Sequence, residues 1–264
     1  MFRRTYVSPT NPSSRMASTV GFSGHDHPPV GLCAIHQPNF LPRLTTLAKL
    51  FAADCWIVLD DVQFARRDYQ HRARLAAMDD PMRRRWLSLP THLPGGRSTT
   101  IREAVLVDPV RSRDRTLRTL RQYYGASPHW SVLQENLAPV LDLFSATDRT
   151  AAVAELSTVA LLRSVGWSGR VVHSSDLPAR RDRSQRLADL AAAVSARTYL
   201  CGTGGMTYLD ERPFRALGIG VTVCRTPEDG IWSFSREVTA LWTLMNGGWD
   251  MLARQLRLVR GGLS

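Results

Sequence analysis

The chain has 264 residues, 44% of them hydrophobic, enough to close a sizeable core without covalent staples. Its net charge of +11 is carried almost wholly by arginine, Lys49 being the one lysine; arginine-favouring codons and a surface suited to phosphates, nucleotides or nucleic acid both account for that bias. Cys33, Cys55, Cys201 and Cys224 form no CxxC pair and sit in or beside apolar runs, which argues against a disulfide framework and a structural zinc site.

Residues 1 to 30 are rich in Ser, Pro, Gly and His and read as a disordered tail, because isolated apolar residues cannot offset chain entropy. The pair His25 and His27 within it is a site for adventitious metal at most. Arg3 and Arg4 resemble the charged start of a signal peptide, but no apolar core follows them. The CWIVL run, Cys55 to Leu59, is strand-sized and far from the roughly 20 residues that span a bilayer. A cytoplasmic protein with no membrane part is expected.

From Val30 the run VGLCAIH reads as a buried strand ending at His36, and Pro38 and Pro42 impose a loop. RLTTLAKLFAA places Leu44, Leu47, Ala48, Leu50 and Phe51 at helical spacing, and CWIVLDDV returns as a strand, completing a βαβ unit. Gln70, His71, Arg72 and Arg74 fall in a loop or short helix. RRWLSLP reads as a strand closed by Pro90, and another strand is expected around IREAVLV. Arg111 to Tyr124 is amphipathic, and LFSATDRTAAVAELSTVALLRSVG is a helical stretch stopped by Gly166. GRVVHSSDLP gives a strand and turn, RSQRLADLAAAVSA a helix, and RTYLCGTGG a strand ending in a glycine loop. FRALGIGVTVC adds a short helix and strand, and a last helical region runs from about Ser235 to Val259, interrupted at Gly247 and Gly248. The alternation predicts one α/β unit over residues 31–264. Its centre is a mostly parallel sheet between flanking helices, a Rossmann-like three-layer arrangement, with helical middle and C-terminal segments.

Ligands of parallel sheets bind beyond the carboxyl ends of the strands. His36, Gln37 and Asn39, then Asp60, Asp61 and Gln63, then Ser174, Ser175 and Asp176, fall at such ends. His36 suits a general acid or base, or else ties its loop to the backbone. Asp60 and Asp61 diverge on an extended chain; one can orient His36, hold Mg²⁺ on a phosphate or accept a substrate amine, and capping with surface charge explains them otherwise. Arg72 can clamp an anion beside Gln70. Arg183 and Arg186 share a helix face behind Ser174 and Ser175, which suits an anion site or a surface paired with Asp182 and Asp189. Gly202, Gly204 and Gly205 can cradle a phosphate or oxyanion, or simply turn the chain. Arg111, Arg115, Arg118 and Arg121, with Tyr123, Tyr124 and Trp130, mix charge and aromatics as an RNA surface does, or form a solvated helix face.

AIHQPNFLP, LDDVQF, YQHR, WLSLP, SSDL with RSQRL, TYLCGTGGMTYLD and LMNGG resemble, in order and spacing, the WbqC-like family across roughly residues 32 to 248, HQPNFLP followed by LDDVQF being the specific part. The resemblance implies a role near sugar modification or specialised-metabolite, antibiotic or polysaccharide assembly. Relatives would carry asparagine where His71 stands and serine where Cys201 stands, so Cys201 is either a nucleophile activated by His36 or a small core residue. The expected activity is acyl or aminoacyl transfer onto a nucleotide-sugar or metabolite, with His36 as base and the acyl group brought by a carrier or aminoacyl-tRNA. A Mg²⁺-dependent nucleotidyltransferase and a non-catalytic binder of sugar nucleotide or tRNA are the alternatives.

Overall fold

The computed structural model describes residues 30–263, so the N-terminal tail and its histidines lie outside the described residues. Strand β1 (Val30–His36) leads through a loop to helix α1 (Leu44–Ala52) and strand β2 (Cys55–Val58). The chain then leaves the main sheet for an antiparallel hairpin, β3 (Arg72–Ala76) and β4 (Arg84–Ser88), and a two-residue pair, β5 (Thr91–His92) and β6 (Val105–Leu106). Helices α2 (Pro109–Tyr124), α3 (Trp130–Ala146) and α4 (Thr150–Ser164) follow. Strand β7 (Arg170–His173), helix α5 (Arg183–Ala193), strand β8 (Ala196–Gly202), the short helices α6 (Thr203–Met206) and α7 (Arg212–Ala216), strand β9 (Gly220–Cys224) and helix α8 (Ala240–Gly261) complete the described chain.

The main sheet runs β7-β2-β1-β8-β9 with every pairing parallel. Side chains alternate across it, as the strand period demands. Ala34, Trp56, Val58 and Leu200 pack with α1, α3, α4 and α8, while Cys33, Ile35, Cys55, Ile57 and Tyr199 pack with α5 and α7. This is the expected Rossmann-like α/β sandwich. All four cysteines are free and buried. No helix among the described residues is long and apolar enough to cross a membrane.

Four local readings need correction. The strand expected around IREAVLV is a tight turn over Ile101–Glu103 before the two residues of β6. There Thr100 and Glu103 cap each other, Thr100 donating its N–H to Glu103 Oε2 at 2.8 Å, which closes a turn where the apolar pattern suggested extension. Arg72 and Arg74 lie on strand β3, because Ala73 and Leu75 alternate into the core opposite Leu87 and Arg85. The helical stretch through LFSATDR is two helices broken at Thr147–Arg149, where Arg149 bridges to Val105. The glycine loop after β8 is a helical turn, and Gly202, Gly204 and Gly205 all keep negative φ.

The interruption expected in the last helix is present at Gly248, whose φ of 81° only glycine adopts readily. A Cβ there would also stand 2.7 Å from the His129 ring, so α8 bends where α3 begins.

Candidate functional site

In chain order the sheet grows outward from β1 in both directions, through β2 to one edge and through β8 to the other. The connections from β1 and β8 therefore part at their carboxyl ends and leave a crevice. A cavity of about 750 Å³ opens there, lined by Ile35, His36 and Gln37 from β1 and its loop, Lys49 from α1, and Cys201, Gly202, Gly204 and Gly205 from β8 and the first turn of α6. Its size falls within the ~300–1,000 Å³ of small-molecule sites.

The loop from Gln37 to Arg43 is held rigidly. Pro38 and Pro42 fix two φ angles, and Leu41, buried, adopts a left-handed φ of 47°. For leucine that geometry costs roughly 1–2 kcal/mol, and α4 holds it in place: Ser157 Oγ accepts the Leu41 N–H at 2.9 Å and Thr158 donates to the Asn39 carbonyl at 2.7 Å.

This loop and α1 enclose His36. Lys49 Nζ lies 3.1 Å from His36 Nδ1, and because an ammonium can only donate, Nδ1 accepts and the ring proton sits on Nε2, which donates to Asn39 Oδ1 at 3.2 Å. Burial, and then the charge of Lys49, push the imidazole well below its usual range, so it stays neutral. His36 therefore meets the cavity already tied at both nitrogens.

Lys49 is the residue the sequence reading passed over. It is buried on α1 and its amine donates to the Ile35 carbonyl at 3.2 Å as well as to His36. Among the described residues no carboxylate lies within ion-pair distance of it. Burial lowers its pKa to about 8, against the partial pull of Cys201, Cys224 and Cys33. The signal was present as the single lysine in a chain of arginines. Cys201 also lines the cavity, but its thiol donates to the Gly202 carbonyl at 3.3 Å, burial raises its pKa, and no hydrogen bond joins it to His36.

The other charged groups on the lining are all cationic. Arg183 and Arg186 come from the first turn of α5, Arg181 from just before it, Arg43 from just before α1 and Arg236 from the segment before α8; no Asp or Glu lines the cavity. Arg183 and Arg186 do share a face, as the spacing implied, and neither pairs with Asp182 or Asp189. Asp182 caps α5 through the Gln185 N–H, Asp189 binds Arg180 at 2.7 Å, and Arg186 binds Asp61 at 2.5 Å. Arg43, Arg181 and Arg236, absent from the sequence reading, become visible only once the loops converge.

Asp60, Asp61, Ser174 and Ser175 form a second cluster, over the ends of β2 and β7. Asp60 is buried and accepts from the Ser175 N–H at 3.2 Å and from Ser175 Oγ at 3.0 Å, while its own N–H donates to Ser174 Oγ at 3.3 Å. Asp61 meets Ser174 and Arg186, both at 2.5 Å; burial alone would raise its pKa, but the hydroxyl and the guanidinium outweigh it and hold it below the ordinary range. Neither aspartate touches His36, and no cluster of three or more His, Cys, Asp or Glu able to hold a metal occurs among the described residues.

Gln70 is fully buried and donates to Gln37 Oε1 at 2.7 Å, bracing a cavity residue from behind. Gln63 is exposed and bonded to the Arg97 carbonyl. Arg72 stacks over Trp86 at 4.2 Å and donates to the Asp68 carbonyl, away from the cavity. On α2, Arg111, Arg115 and Arg118 join Arg85 around a smaller hollow of about 310 Å³, but Tyr124 is in the core and Trp130 packs against it, so these aromatics do not share the basic face.

The WbqC-like protein family matches residues 37–253, most of the chain, including Lys49, the cavity arginines and the aspartate cluster, with His36 one residue before the match. A Mycobacterium tuberculosis relative described as the uncharacterized protein Rv1507c is 29% identical over 189 residues, covering 72% of this chain and 80% of its own. No solved structure matches.

Proposed function

The chain belongs to the WbqC-like family, and from that premise we propose that it is a biosynthetic group-transfer enzyme whose substrate is an anionic small molecule, a nucleotide-sugar or an acidic metabolite. The reaction is acyl or aminoacyl transfer onto a hydroxyl or amine of that molecule from a carrier thioester or aminoacyl-tRNA ester, whose thiol or ribose hydroxyl is the leaving group. One observation carries the reading: the cavity at the switch point is lined by a buried lysine–histidine pair and by arginines, with no carboxylate on its lining.

The anionic handle is held by Arg183 and Arg186, the second kept in place by Asp61. The acceptor's proton passes to the Lys49–His36 pair, whose amine is partly unprotonated near neutral pH. Developing negative charge meets the N–H groups at the start of α6 and the guanidinium wall. Asp60 acts by fixing the loop that carries Asp61, through Ser174 and Ser175.

Thermal-shift titration with nucleotide-sugars, nucleotides with and without Mg²⁺, acyl-CoA and bulk aminoacyl-tRNA tests this, since a ligand of the folded state raises Tm. A shift with an anionic small molecule that Arg183→Ala weakens supports the reading. A shift only with tRNA, unaffected by Arg183→Ala and abolished by salt, overturns it in favour of RNA binding.

A further inference from the structure

A cation buried without a counter-ion is costly unless something uses it. Lys49 is such a cation, and the chain, which otherwise uses arginine throughout, keeps one lysine at this position. Arginine cannot lose its proton, whereas lysine can, and only then does its nitrogen present a lone pair.

Two of the three substituents that the amine can direct outward are taken. One N–H goes to the Ile35 carbonyl and one to His36 Nδ1. The third position has no protein partner among the described residues, and Lys49 forms part of the cavity lining. In the neutral amine that position is the lone pair. The titratable and charged groups around it are His36 and Cys33 on β1, Cys201 on β8, Cys224 on β9 and Arg43 ahead of α1, and none is a carboxylate. The thiols are held protonated by burial, Cys33 up to about 12 and Cys224 up to about 11, so they do not compete as nucleophiles at neutral pH.

We infer that Lys49 is a covalent catalytic residue that forms an imine with an aldehyde or ketone carbonyl of an anionic substrate lying in the cavity. This rests on the cavity being the site of an anionic substrate, and it gives Lys49 a covalent step in place of the proton transfer proposed above, on a substrate that carries a carbonyl. The Nζ lone pair attacks the carbonyl carbon, the oxygen takes up a proton, and the resulting carbinolamine loses water to leave C=N in place of C=O. A C=N double bond replaces the C=O double bond, and both amine protons leave with the oxygen as water, with no oxidant or reductant. An amide formed by acyl transfer to the same nitrogen would be a dead end; an imine hydrolyses and returns the amine. The protonated imine withdraws electrons from the neighbouring carbon, and its one N–H can still donate to His36 Nδ1.

Pyridoxal 5′-phosphate is the probe, an aldehyde with an anionic handle. The full-length protein is incubated with it, reduced with borohydride, digested and mapped by mass spectrometry. One stable pyridoxyl group on Lys49 is expected, at a rate rising with pH around 8, the lysine's own pKa. Labelling by pyridoxal, which lacks the phosphate, is expected to be at least about tenfold slower, since the arginines then have nothing to hold. Lys49→Arg and Lys49→Met should leave only the N-terminal amine labelled. Label on Lys49 in the urea-unfolded chain but not in the native protein overturns the inference, as does equal labelling by the two aldehydes. If the native lysine is inert while an anionic ligand still shifts Tm through Arg183, the cavity reading survives and the imine falls.

Discussion

Two polar clusters sit over neighbouring strand pairs at the carboxyl ends of the sheet, and they are built on opposite principles. Over β2 and β7 the partners close on one another: both oxygens of Asp60 and both of Asp61 are taken by Ser174, Ser175 and Arg186. Over β1 and β8 they do not close: among the described residues Lys49, Arg43, Arg181 and Arg183 on the cavity lining form no ion pair. A closed network contributes to stability; an open one is tolerated at a cost in stability and leaves its capacity for a ligand.

The largest effect expected from breaking this contrast is Asp60→Ala. It strands the Ser175 N–H and hydroxyl donors beside a buried carboxylate cluster and should lower unfolding free energy by about 3 kcal/mol in urea melts. A loss below about 0.5 kcal/mol would show that the network is not closed in solution.

Next comes Lys49→Met, which should act in the opposite direction. A fall in pKa from 10.5 to about 8 means that folding penalises the charged form by roughly 3 kcal/mol. That penalty is full below the folded pKa and fades as pH rises toward the unfolded value, because the unfolded chain then holds the extra proton. Lys49→Met is therefore expected to be more stable than the parent by roughly 0.5–2.5 kcal/mol at pH 7, after its two lost hydrogen bonds are counted, and less stable than it near pH 11, where only the loss of those hydrogen bonds remains. A destabilised variant at pH 7 would mean that the amine's hydrogen bonds outweigh its burial.

Arg186→Ala joins the two clusters in one measurement. It frees Asp61 beside the cavity, so anionic ligands should bind roughly 10- to 100-fold more weakly by calorimetry, while Tm moves by a few degrees at most. The smallest effect is Asp61→Asn. The carboxyl's depressed pKa supplies stability above its ordinary range that is lost as pH falls through the folded value. The parent's advantage, about 1 kcal/mol at neutral pH for a pair this exposed, should vanish in acid-unfolding curves.

The sheet was legible because its signals are local. VGLCAIH, CWIVL and TYLC are short runs of branched and aromatic residues, and the helices between them carry their period, so parallel order followed from connection rules. The hairpin was half legible: β4 showed in RRWLSLP, while its partner β3 was masked by the charges of Arg72 and Arg74, whose guanidiniums lie over Trp86. At the site the sequence named the polar residues at strand ends but not which are spent. Asp60 meets Ser174 across 114 residues, and no local pattern announces that pairing. Lys49 was concealed by its helix, where it reads as one polar residue on an apolar face.

The left-handed Leu41 has a consequence in time. The loop that shapes His36 is held by hydroxyls of α4, 116 to 119 residues further along the chain, and β1 finds β8 later still. Contacts this distant form slowly. On the ribosome, a chain released only as far as α3 can pair β1 with β2 but has nothing to hold the loop. The pocket therefore assembles late in synthesis, and truncations before α4 should yield a partial sheet with no binding site.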